Sequence, residues 1–341
     1  MIQKTIPQSE TFNSFFLTSK RNKWFLLLIL FLLTIINVEG QTIGDYRTRY
    51  NGTTVYDWNT ASNWEVLNGR RWIEASSVPS SNSNVTIRDG ARYSISSSAT
   101  CASLTIASGG TLTYLAIANS NSLTVTNGIT INASTADNFV RYISVGAGSI
   151  SCASLTMVAS TNDARDSYIS VSTGTITVNG NIVMGGSASR NQIVMTDAGT
   201  LNIAGTGTIT GGTISSVAGG YTVLNNGTVN YNGTTQSIGN YTYYNLSTQN
   251  SGIKSLTANT TVLNNLTVNA NSTLNLSTFT ANRSSSGGAF SMGDNSTLTV
   301  SGASNFPANF LTYSLANSST VNYDYASGAQ SISGQTYVNL S

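Results

Sequence analysis

The sequence predicts an all-β protein, a right-handed parallel β-helix or β-solenoid with about three short strands per turn of roughly 25 residues. An aromatic-rich cap is expected at its N-terminal end. Three observations lead there. After Gln41 there is no sustained i, i+3, i+4 apolar stripe. What recurs is an aliphatic–Ser/Thr–aliphatic triplet, the period-2 alternation of a strand with one face turned inward. These triplets return at steps of 24 to 27 residues, bounded by Gly, Asn or Ser.

The elements follow in chain order. Residues 1–40 read as a signal peptide. Lys20, Arg21 and Lys23 precede an apolar run from Trp24 to Val38, and small residues stand at Val38 and Gly40. That run is short for a spanning helix, which needs about 20 apolar residues. Cleavage is expected after Gly40. Residues 41–100 form the cap region. They hold Trp58, Trp64 and Trp72, and Pro79 precedes the first regular strand.

Residues 101–220 form the regular solenoid. Ile143-Ser-Val145, Ile150-Ser-Cys152 and Leu155-Thr-Met157 are the strands of one turn, on sides A, B and C. Ile169-Ser-Val171, Ile176-Thr-Val178 and Ile182-Val-Met184 make the next. Gly148, Gly174 and Gly199 mark the corner before side B. Such triplets are too short to form sheets alone and must stack on their neighbours.

Residues 221–341 carry a longer repeat. Val229-Asn-Tyr231, Gln236-Ser-Ile238 and Tyr244-Asn-Leu246 recur as Val321-Asn-Tyr323, Gln330-Ser-Ile332 and Val338-Asn-Leu340, with the Gln-Ser-Ile blocks 94 residues apart. The second copy stops inside the unit, so the chain reads as part of a longer one, apparently truncated.

The Trp58-Asn-Thr-Ala-Ser-Asn-Trp64, Val78-Pro-Ser80 and Asn84-Val-Thr-Ile87 segments resemble the start of repeat-rich surface proteins exported by Bacteroidetes. The Tyr231, Gln236-Ser-Ile238, Tyr244-Asn-Leu246 unit is similar to their long repeats. The resemblance covers most of 55–341 and carries no catalytic motif. It implies an exported, adhesin-like protein on a β-solenoid stalk, of the kind that leaves through type IX secretion with a C-terminal sorting domain. No such domain is found here.

Composition narrows the chemistry. There is no His among 341 residues, hence no Ser-His-Asp triad, Cys-His pair or imidazole metal site. Two cysteines cannot supply an all-cysteine zinc site. The chain after residue 40 holds 11 basic and 11 acidic residues, with Lys254 as its one lysine. A neutral body has no electrostatic footprint for nucleic acid. Neither metal nor cofactor is expected. Ser, Thr and Asn supply 136 residues, and their outward side chains can form ladders of hydroxyls and amides.

Four sets of residues are candidates. Trp58, Trp64 and Trp72 can cap the first turn or stack on glycans. Asp137 and Asp163 each stand five residues before a tyrosine, Tyr142 and Tyr168, and should stack in adjacent turns. With Arg165 and Asp166, they are where a lyase- or glycosidase-like site would lie, because paired carboxylates run glycoside hydrolysis. Their plainer reading is a solvated salt-bridge ladder that includes Arg141 and Arg190. Cys101 and Cys152 occupy equivalent positions two turns apart, with Val125 between. Two steps of about 4.8 Å exceed the roughly 7 Å Cα limit of a disulfide, so both are expected as buried free thiols. Sequons such as Asn132-Ala-Ser and Asn295-Ser-Thr are expected by chance in such a composition.

The expectation for function is a non-enzymatic, exported, cell-surface or extracellular structural or adhesive protein. It would bind glycans or cell-surface components weakly and many times over, as a monomer or part of a longer chain, with the export machinery as its other partner. The alternative is a carbohydrate-active or carbohydrate-binding β-helix using the loop carboxylates.

Overall fold

Each triplet buries two aliphatic side chains and exposes one polar one, and a single turn cannot shield both from water. Stacking turns solves this. In the computed structural model the chain coils into a parallel β-solenoid of about 24 residues per turn. The structure describes residues 42–118, 120–137, 140–159, 167–185, 191–211, 213–215, 217–218, 221–222 and 226–341. The chain divides at Ile43/Gly44, and Gly44–Ser341 is one unit.

The register matches the sequence period. On side A, Arg141–Val145 pairs with Ser167–Val171, which pairs with Asn191–Met195. Ile143, Ile169 and Ile193 therefore stand in one row, each fully buried. On side B, Ile150, Ile176 and Leu201 align, and on side C, Leu155, Ile182 and Ile209. Fully burying one such side chain contributes roughly 1.5–3 kcal/mol. The bore is thus a continuous aliphatic column supported turn by turn.

Close packing at the corners accounts for the glycines. A Cβ on Gly174 would lie 2.1 Å from the Gly148 carbonyl oxygen and 2.8 Å from that of Gly146. Both are backbone atoms that cannot retreat without opening the stack. Gly146 has only an ordinary contact, 3.6 Å to the Ile117 oxygen. Gly174→Ala is expected to cost about 3 kcal/mol and Gly146→Ala less than about 1 kcal/mol. Urea midpoints of the two variants check this.

Parallel stacking starts below residue 100: Tyr46–Arg47 pairs with Val85–Thr86 and Tyr56–Asp57 with Tyr93–Ser94, and then Asn84–Ile87 with Ser103–Ile106 and Arg92–Ile95 with Tyr114–Ile117. Beneath it Tyr46–Thr48, Trp64–Asn68 and Arg71–Glu74 pair antiparallel. An aromatic cluster fills this end. Trp58 and Trp64 meet edge to face at 4.7 Å, and Tyr93 lies 5.1 Å from Trp64.

Beyond residue 226 the turns change length. Side B continues through Thr228–Tyr231, Asn245–Thr248, Leu266–Val268, Gly287–Met292 and Phe310–Leu315. A new column, side D, runs through Gln236–Ile238, Ile253–Leu256, Thr273–Asn275, Thr297–Val300 and Thr320–Tyr323. The long repeat explains the shortest turns. In its first copy Tyr231 and Tyr243 share a hydroxyl–hydroxyl hydrogen bond of 2.9 Å inside the bore. Gln236 Nε2 donates to the Ile203 and Gly207 carbonyls at 2.9 and 3.2 Å, and its Oε1 accepts from Gly233 N. The second copy repeats the pattern. Tyr323 and Tyr337 lie 2.8 Å apart, and Gln330 Nε2 donates to Val300 and Gly302. Glutamine thus ties each short turn to the one before it, and the tyrosine pair fills the space between walls. The first copy begins on side B and the second on side D, so the two sit on different sides of the tube.

One lysine and two thiols inside the bore shape the pH dependence. Lys254 is fully buried in the column between Gln236 and Leu274. Its Nζ donates to the Asn250 and Ser251 carbonyls at 2.8 and 3.1 Å, and burial lowers its pKa from 10.5 to about 8. Burial raises the thiols of Cys101 and Cys152 from 9.0 to about 12. The lysine costs stability while it is charged, and that penalty is relieved as pH rises from about 8 to 10.5. The thiols act oppositely: their contribution is whole below pH 9.0 and is lost as pH climbs towards 12. Two thiols outweigh one lysine. Without histidine, stability should be flat from about pH 5 to 8 and fall steeply above about pH 9.5. Urea midpoints against pH test this, and Lys254→Met should raise the neutral plateau by about 2–3 kcal/mol.

Candidate functional site

The tryptophans divide. Trp58 and Trp64 are both fully buried, and the Trp64 indole N–H donates to the Trp58 carbonyl at 2.7 Å. Neither offers a ring face to a sugar, which corrects the stacking expectation for these two. They belong to the core because the N-terminal strands fold over the end of the first coil. Trp72 is half-buried, with the Arg47 guanidinium 4.3 Å from its ring centroid and Arg47 paired to Glu65 at 2.7 Å.

The register that should stack the loop carboxylates exists, since Tyr142 pairs with Tyr168. Asp137 is exposed. Asp163, Arg165, Asp166 and Arg190 lie outside the described residues. Arg141 departs from the expected loop ladder. It points into the tube, fully buried, and its guanidinium donates to Asp89 at 2.9 Å and to Thr113 Oγ1 at 3.0 Å. Thr113, Arg141, Ser167 and Asn191 form one register row of buried polar residues at the corner before side A. Asp89 also accepts from the Gly110 and Thr111 backbone. Partial burial alone would raise its pKa, but hydrogen bonds from Thr111 and Arg141 together lower it. Among the described residues no three His, Cys, Asp or Glu side chains gather as a metal site.

Cys101 and Cys152 are buried free thiols, and each pairs with Val125 from opposite sides. Asn295 of the Asn295-Ser-Thr sequon has φ +56°, a corner conformation asparagine tolerates. Ser296 behind it is buried and donates to the Gly293 carbonyl at 2.7 Å. One turn below, Asn271 has φ +61° and Ser272 is buried too, its hydroxyl donating to Thr248 Oγ1 at 3.0 Å. Stacking therefore supplies a structural use for these Asn-Ser pairs.

The outward rows are the most regular feature. On side B, Thr100, Thr124, Ser151, Thr177, Asn202, Asn230, Ser247, Thr267, Ser291 and Ser314 stand in ten successive register positions. Asn202 donates to Thr177 at 3.3 Å, Asn230 to Asn202 at 3.0 Å, and Ser291 to Thr267 at 3.2 Å. Side C presents Thr86, Thr105, Thr130 and Thr156, then Val183 and Thr210. Side A carries a stack of Tyr114, Tyr142 and Tyr168 with centroids 5.1 and 4.9 Å apart. None of these side chains carries a charge at neutral pH.

Side B is hollowed where the turns shorten. A groove of about 370 Å³ lies over Asn230, Ser247 and Thr267, walled by Asn245 and Asn265 on one flank and Gln249 and Asn269 on the other. Sequence reading missed it, because concavity arises from the change in turn length and no motif encodes that. No family model matches the chain, and no curated protein or solved structure matches it.

Proposed function

We propose that the protein is an exported, non-enzymatic repeat protein of the cell surface or extracellular space, which holds glycans or neighbouring surfaces by many weak hydrogen bonds. The observation that carries this is the side B row, where ten register positions are all Ser, Thr or Asn on a continuous parallel sheet. A single neutral hydrogen bond contributes only about 1 kcal/mol net. Repetition along a polymer raises avidity without any strong contact. The kinship with exported Bacteroidetes surface proteins belongs to the same proposal, as does removal of residues 1–40.

The test is retention of the full chain on insoluble neutral polysaccharides, with soluble monosaccharide as competitor. The chain should be retained on polymer, with little competition by monomer and no release of reducing ends. Absence of retention, or steady release of reducing ends, would refute the proposal.

A further inference from the structure

We infer that the Arg71–Glu74 strand, at the N-terminal end of the solenoid, is a docking edge for a second copy of this chain, which pairs antiparallel with its own equivalent about a twofold axis at Trp72. The side C sheet does not stop at Asn84–Ile87. It continues through Tyr46–Thr48 and Trp64–Asn68 to Arg71–Glu74, and among the described residues that last strand pairs with Trp64–Asn68 alone. Hydrogen bonding shows which of its backbone groups are spare. Leu67 N donates to the Asp45 carbonyl and Leu67 O accepts from Gly44 N, both at 2.9 Å, so Leu67 turns away from Trp72, its register partner. Ala75 N donates to the Trp64 carbonyl at 3.0 Å. By the alternation of an antiparallel ladder, Arg71 and Ile73 bond inward to Trp64–Asn68, whereas Trp72 and Glu74 direct N–H and C=O outward. Such an edge is a ready template for another strand.

The side chains on this edge fit a second copy in one register. Trp72 and Glu74 lie on one face of the strand, with Arg70 in phase just ahead of them, and Arg71 and Ile73 lie on the other. A twofold axis keeps the two faces apart, so a residue can oppose only its own equivalent or one an even number of positions away. Centring on Trp72 sets each Arg70 opposite the partner's Glu74 and joins the outward backbone groups of the two Trp72 residues. It also lays each Arg71 stem over the partner's Ile73, a side chain 44% exposed in the single chain. Centring on Arg71 or Glu74 would oppose like charges, and centring on Ile73 would set Trp72 against a carboxylate. Opposite charges directly across an antiparallel pair stabilise it and like charges destabilise it. Glu74 meets Arg49 at 2.5 Å through Oε2, yet its side chain is 53% exposed, so a second guanidinium can approach. Charges that merely guard an edge repel their own copies. Here their phase makes them attract. The inference does not depend on what the outward rows bind.

The experiment is sedimentation equilibrium of the full chain over a concentration series, which should show a reversible monomer–dimer equilibrium. Arg70→Glu and Glu74→Arg each oppose like charges at two places and should weaken the dimer at least about tenfold. Mixed in equal amounts, the two variants should associate with each other about as well as the unaltered chain does with itself, because opposite charges then face each other again. Both positions are exposed, and circular dichroism with urea midpoints establishes that each variant is folded. A chain that stays monomeric at every concentration, a dimer indifferent to both substitutions, or a mixture no tighter than its components would overturn the proposal.

Discussion

Ile169→Asp should unfold the middle of the solenoid. Ile169 is fully buried, between Ile143 below and Ile193 above, so its carboxylate would meet only aliphatic neighbours. An isolated buried charge has no favourable solution except protonation or local opening. We expect a loss of at least about 4–5 kcal/mol, at the extreme of single substitutions. A solenoid is stabilised chiefly by nearest-neighbour contacts. The damage should therefore spread to adjacent turns, and hydrogen exchange should accelerate at Arg141–Val145 and Asn191–Met195 together. Ile169→Val, which keeps the row apolar, should cost about 1 kcal/mol. Equal effects of the two substitutions would place Ile169 on an outer face.

The second large effect concerns Asp89 and Arg141, and its signature is asymmetry. Arg141 is 0% exposed at its side chain, whereas Asp89 is 37% exposed. Asp89→Ala leaves a guanidinium buried without its counter-charge. Breaking a buried pair from one side costs about 3–5 kcal/mol. Water reaches Asp89, so the lower end, about 3 kcal/mol, is expected. Arg141→Met removes the charge along with its need for a partner and should cost about 1 kcal/mol or less. Asp89→Ala combined with Arg141→Met should recover most of the loss. Thermal unfolding of the three variants measures this, and additive effects would show that the two groups do not act as a pair.

Much of this architecture was legible in the sequence because the solenoid repeats its packing problem every turn. The Ile143, Ile169, Ile193 row and the placement of Val125 between the two cysteines follow from counting residues. Period alone fixes which positions neighbour each other, and alternation fixes which face inward. What escaped depends on local geometry. Arg141 looks like a loop charge beside Asp137, yet it is the first residue of the strand and on the inward phase. Its partner Asp89 is 52 residues away, two turns below. Trp58 and Trp64 are buried because antiparallel strands fold over the end of the coil, and those strands lack the triplet pattern. The long repeat was visible as a sequence, but its rotation from side B to side D was not. Turn length there varies, from Val229–Leu246 to Leu266–Phe290, so equal spacing no longer means equal position.

The uncharged outer rows have the same origin as the fold. Each triplet's middle residue must be small enough to stack at strand spacing and polar enough to face water, which favours Ser, Thr and Asn. The groove over Asn230 adds depth to that surface, where short turns meet long ones.

The most direct test of the central claim, in-register stacking of successive turns, is a pair of double-cysteine variants on side B. Thr124 and Ser151 occupy adjacent turns, and Thr124 and Thr177 are two turns apart. Neighbouring parallel strands lie about 4.8 Å apart, within disulfide reach, whereas two steps exceed it. Cys101 and Cys152 are buried with thiol pKa values near 12 and should stay silent. Disulfide formation should be rapid in Thr124→Cys/Ser151→Cys and absent in Thr124→Cys/Thr177→Cys. Free thiols in the first variant, or a disulfide in the second, would contradict in-register stacking.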